Sequence, residues 1–143
     1  TIYVLSEDKQ SIISKIKTGL VSFKDLKLPI NDQSIAGFVA LAKRIANIRD
    51  VYDDTELKAL HPGLRFLQEV DKRTGYRTKQ MLVAPILDPS GGLLGVVQLI
   101  NNKVGSPFAS VAEEGVKSLC ETLAIARSAQ LAQGQLRRSS SKV

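Results

Sequence analysis

Apolar residues recur along the chain in short alternating runs first and in helical steps later. Ile2, Tyr3, Val4 and Leu5 form a β-branched and aromatic run, and SEDKQ follows as a polar turn. SIISKIK resumes the pattern, with Ile12, Ser14 and Ile16 in one row and Ile13, Lys15 and Lys17 in the other, an imperfect alternation. Two short runs joined by a polar turn predict a β-hairpin. DLKLPI adds a short extended piece with Leu26 and Leu28 on one face, ended by Pro29.

The period then changes. SIAGFVALAKR opens on Ser34, an N-cap residue type, and Ile35, Phe38, Val39, Leu41 and Ala42 fit a helical stripe. IANIRDVYDD reads as a bend, its Asn47, Asp50, Asp53 and Asp54 offering side chains to turn backbone. ELKALHPGLRF reads as a short helix, or a loop, broken at Pro62-Gly63. KQMLVAPIL and LLGVVQLIN are the strongest strands, and DPSGG between them has the composition of a hairpin turn. Ser110 and Glu113 have capping-box spacing, and Val116, Leu119, Leu123 and Ala126 or Arg127 step along a final helix. Hairpin, helix, hairpin and long helix predict an α+β fold with a central antiparallel sheet.

A length of 143 residues suits one domain. No apolar run approaches the roughly eighteen residues that span a bilayer, so no membrane partner is expected. The opening TIYVL, a strand already under way, leads us to expect a fragment, or an upstream helix outside this chain. Cys120 is the single cysteine, which excludes an internal disulfide and a cysteine zinc site and favours a reducing, cytoplasmic setting. Three of the net six positive charges sit in the tail, on Arg137, Arg138 and Lys142, leaving a mildly basic body. With three tyrosines, four phenylalanines and no basic stripe repeated along a helix, nucleic-acid binding is not expected.

Candidate chemistry is sparse. No phosphate-binding loop or dinucleotide fingerprint is present. His61 has no second histidine or cysteine near it and reads as an exposed loop residue; Cys120, between Leu119 and Leu123, reads as core or interface. Asp53/Asp54 and Glu113/Glu114 are adjacent in sequence and point apart. No catalytic constellation emerges, so the chain is expected not to be an enzyme, and it implies no certain cofactor. EVDKRTGYRTKQMLVAPI stands out. If its start is a helical turn ended by Gly75, then Asp71, Thr74 and Thr78 share one side. Those groups either brace the turn itself or face a ligand.

SIAGFVA, NIRDVYDD, VDKRTGYRTKQMLVAPI, GGLLGVVQLINNK and SPFASVAEE together resemble a GAF domain, of the type found in cyclic-nucleotide phosphodiesterases and adenylyl cyclases. The resemblance implies a central antiparallel sheet flanked by helices, a ligand pocket on one side of it, and a homodimer formed through terminal helices. By position it carries ligand contacts onto Ile35, Ala36, Asp71, Thr74, Thr78 and Gln98, with a cyclic nucleotide or other small molecule as the guest. Departures exist. Lys17 and Thr18 stand where nucleotide binders have an aromatic and an acidic residue, and neither can stack on a base. The Asn-Lys…Phe-x-x-x-Asp-Glu motif is matched by Asn101 or Asn102, Lys103, Phe108 and Glu113, but Ala112 replaces its aspartate. Residues 56–64 are an insertion. That insertion, DKRTGYRTKQMLVAPIL and ETLAIARSAQ also resemble GAF modules preceding bacterial type II secretion or type IV pilus assembly ATPases. GAF domains that reduce methionine sulfoxide need several cysteines, and bilin carriers a cysteine-histidine site; neither is here.

The expectation is therefore a non-catalytic sensory domain over residues 1–136, with a basic Ser-rich tail or linker over 137–143. It would bind a small ligand and control an attached output domain. The alternative is a degenerate GAF module that dimerises without ligand.

Overall fold

The computed structural model describes residues 1–16, 26–101 and 107–140, and for residues 16 and 135–140 the backbone alone. The expectations for Lys17, Thr18, Asn102, Lys103 and Lys142, and for the side chains of Arg137 and Arg138, therefore fall outside what is described.

Among the described residues, six antiparallel strands form one curved sheet: β1 (Ile2–Leu5), β2 (Ser11–Ile16), β3 (Lys27–Pro29), β4 (Ala46–Ile48), β5 (Gln80–Leu87) and β6 (Leu93–Asn101), in the order β3-β2-β1-β6-β5-β4. The helices are α1 (Ile35–Ala42), α2 (Asp54–Leu60), α3 (Glu69–Thr74) and α4 (Ser110–Ser140). The expected α+β class, central antiparallel sheet and long C-terminal helix are all present.

The pleat sends alternate residues to two cores. Tyr3, Ile12, Met81, Val83 and Val96 face α1, where Ile35, Phe38 and Val39 cover them and Leu57 of α2 joins. Leu82, Ala84, Ile86 and Val97 face α4, which contributes Val116, Cys120 and Ala124. The α4 stripe therefore runs through Cys120 and Ala124; Leu119, expected to be buried, is 41% exposed. Ser34 caps α1 by accepting from the Gly37 amide at 3.0 Å. A Cβ on Gly37 would lie 2.6 Å from the Pro29 carbonyl oxygen, so glycine lets α1 press against the end of β3.

Three local expectations are corrected. Ala46–Ile48, read as part of a bend, is an edge strand paired with β5. Glu113 does not close a capping box on Ser110: its Oε1 accepts from Asn47 Nδ2 at 2.8 Å. Asn47 braces no turn of its own; its amide also donates to the Phe108 carbonyl at 2.8 Å and accepts from the Phe108 amide at 3.1 Å. Strand alternation explains this. Ala46 and Ile48 point into the α1 core, so Asn47 points to the opposite face, where α4 begins.

Candidate functional site

The turn containing Asp71 is built as the sequence suggested. α3 ends on Gly75 at φ 72°, a left-handed residue whose amide donates to the Asp71 carbonyl at 2.9 Å. The chain then reverses into β5, and Thr78 returns to the Asp71 side chain. Asp71 Oδ2 accepts from the Thr78 amide at 2.8 Å, and Oδ1 accepts from Thr78 Oγ1 at 2.8 Å. A third donor is Tyr52, whose hydroxyl reaches Oδ2 at 2.7 Å. Asp71 and Thr78 are both buried. A buried carboxylate is tolerated because three donors replace the water it has lost.

Tyr52 was not anticipated. It follows β4, and its ring lies edge-on to Phe66 with centroids 5.2 Å apart, while the Arg77 guanidinium sits 4.1 Å above its face. Partial desolvation, together with the bond to Asp71, raises the phenol to about 12. Nineteen residues of sequence separate Tyr52 from Asp71, so no local spacing could have joined them.

The other expected contacts are dispersed. Thr74 leaves the cluster: its hydroxyl donates to the Val70 carbonyl at 2.9 Å and accepts from the Tyr76 amide at 3.2 Å. Ile35 and Ala36 are buried in the first turn of α1, within the core on that face. Gln98 lies opposite Val83 on β6, and its side chain hydrogen-bonds the Tyr3 phenol, which burial pushes up to about 12. Asp71 and Thr78 are thus brought together, while Thr74, the α1 pair and Gln98 each have separate partners.

Outside this cluster, on the surface between the start of α1 and α3, lies an open cleft of about 570 Å³. Gln33 and residues 65–69 line it with Lys72 and Arg73. Beside it, His61 is more engaged than an exposed loop residue would be. It stacks on Phe38 at 5.3 Å and meets Asp32 at 3.2 Å; the Gln33 amide, and after it His61, hold the Asp32 carboxyl below its usual range. A second groove, of about 490 Å³, separates the far half of α4 from β1 and β6. Among the described residues no group of three His, Cys, Asp or Glu side chains could hold a metal ion, and no helix is long and apolar enough to cross a membrane.

Comparison with known proteins agrees with this architecture. No family model matches the chain. The GAF domain of an Acinetobacter phosphoenolpyruvate-protein phosphotransferase superposes with a TM-score of 0.67 at 22% identity, covering 94% of this chain and 72% of that one. The fold is that of a GAF domain. The corresponding Coxiella burnetii domain gives a TM-score of 0.63 at 23% identity, covering 96% and 73%. In sequence, this GAF-like chain is related to the Drosophila melanogaster dual 3',5'-cyclic-AMP and -GMP phosphodiesterase 11, at 41% identity over 98 residues, 68% of the chain. The chain spans only 6% of that phosphodiesterase's length.

Proposed function

We propose that the domain is a non-catalytic sensory module which takes a small ligand on the α1 side of the sheet, between Ile35 and Ala36 and the Asp71 turn. The observation that carries this reading is the Tyr52–Asp71–Thr78 cluster in a GAF-like fold. A buried carboxylate there accepts one of its three bonds from a phenol on a separate segment. A ligand N–H that replaced the Tyr52 hydroxyl at Oδ2 would keep the carboxylate satisfied and free Tyr52 to move. Cyclic nucleotides are the first ligands to try, because the related phosphodiesterase is named for acting on them.

The signal would leave through α4. Binding shifts an equilibrium only if the ligand prefers one helix arrangement. We further propose that α4 pairs with α4 of a second copy. Val111, Ser118, Ile125 and Ala132 recur every seven residues on its exposed side, with Gly115, Thr122 and Ala129 between them. An uncharged seam with a seven-residue repeat suits a left-handed helix pair. The output domain in this reading is an attached enzyme, of the phosphodiesterase kind or a secretion or pilus ATPase, acting in a reducing, cytoplasmic setting.

A second reading is supported by the same cluster. Among the described residues the Asp71 donors are Tyr52 and Thr78, and Thr74 bonds to main chain, as expected of a degenerate module that dimerises without ligand. Calorimetry separates the two. If a cyclic nucleotide displaces Tyr52, Tyr52→Phe tightens its binding and Asp71→Ala abolishes it. Equal affinities in wild type and both variants would remove the proposed site.

A further inference from the structure

The cleft between the start of α1 and α3 uses none of the Asp71 cluster, and its chemistry points to a different class of guest. Its floor is apolar, made by Phe66 and Leu67, both half-buried. Phe66 is held in place by its edge-on contact with Tyr52. Its rim is cationic: Arg65, Lys72 and Arg73 face a single carboxylate, Glu69. Arg73 already pairs with Glu69. Arg65 and Lys72 are left with no acidic partner among the described residues, although they border the same cavity. The nearby Asp32 carboxylate forms no ion pair with either of them among the described residues; it accepts from Gln33 at 2.7 Å and meets His61 at 3.2 Å.

We propose that this cleft binds a phosphate monoester carrying a flat apolar group. The volume lies within the few hundred to about 1,000 Å³ usual for small-molecule sites. Two unmatched cations call for a dianion, which a phosphate monoester supplies near neutral pH and a single carboxylate does not. The planar Arg65 guanidinium can hold two phosphate oxygens at once, with Lys72 as a point charge beside it. The flat group would lie on Phe66 and Leu67. This site goes beyond the reading above, and it stands or falls independently of Asp71.

The test is an amide NMR titration of the whole chain with phenyl phosphate, and in parallel with inorganic phosphate. Saturable shifts at residues 65–72 are expected, with phenyl phosphate about tenfold tighter because its ring loses water contact on the floor. Arg65→Gln and Lys72→Gln should each weaken binding about tenfold, as loss of a charge-assisted hydrogen bond does. Lys58→Gln, which removes an equal charge from the exposed side of α2, should leave affinity unchanged. Vesicles containing phosphatidic acid form a last arm. Their capture of the protein, with no response to the soluble ester, would show a lipid headgroup and overturn the soluble ligand. Absent saturation, equal affinity for inorganic phosphate, or an equal loss in Lys58→Gln would overturn the proposal too.

Discussion

Asp71 shows what one buried carboxylate does for this domain: it ties the end of α3, the start of β5 and the turn after β4 to one point. Asp71→Ala would leave the buried Thr78 amide and hydroxyl without acceptors, a loss of about 2–4 kcal/mol. Tyr52→Phe removes one donor from the rim and should cost about 1 kcal/mol. Urea unfolding of the two variants would measure both losses. The tyrosines also set an alkaline limit. Tyr3 and Tyr52 titrate near 12 in the folded chain against 10 when unfolded. Between these values the unfolded state holds fewer protons, so their contribution is complete below about pH 10 and fades as pH rises towards 12. Tyr52→Phe should flatten part of that fall in stability. At this scale the sequence was partly legible. The turn ended by Gly75 was legible, but Thr78 reaches Asp71 through the chain reversal into β5 rather than by helical spacing, and Tyr52 comes from a distant segment read only as a bend.

Among the elements, β4 was the one the pattern concealed. Three residues are too few for alternation to register, and the acidic residues that follow drew Asn47 into a turn reading. Its pairing with β5 is long-range, and only that pairing decides that Asn47 faces α4 rather than its own loop. The capping-box reading of Glu113 failed for the same reason: a tertiary partner, the Asn47 amide, outcompeted the local backbone. Asn47 therefore joins the sheet edge to the beginning of α4. In Asn47→Ala, hydrogen exchange should speed up at Phe108 and in the first turn of α4, while Val116 to Ala124, packed on the sheet, keep their protection. Uniform loss of protection along α4 would mean that the sheet contacts, not Asn47, hold the helix start.

For the molecule as a whole, the two-period reading succeeded because strands that alternate and helices with an apolar stripe fix which faces meet. One sheet separates a face with the Asp71 cluster from a face that carries α4, so under the proposed function a signal would have to pass through or around it. α4 uses its inner side on the sheet and leaves Val111 and Ile125 exposed on its outer side, at 82% and 73%. If that seam pairs two copies, Ile125→Arg should convert a dimer to a monomer in sedimentation analysis with the fold unchanged. A monomeric wild type would limit signalling to a partner within the same chain.

Calorimetric titration of the chain with cyclic mono- and dinucleotides decides whether the α1 side of the sheet takes a ligand. Saturable heat with a dissociation constant below about 1 mM is expected for at least one of them. The binding should be lost in Asp71→Ala and strengthened in Tyr52→Phe. Heats no larger than dilution for every nucleotide would contradict it and leave the Asp71 cluster as a structural brace.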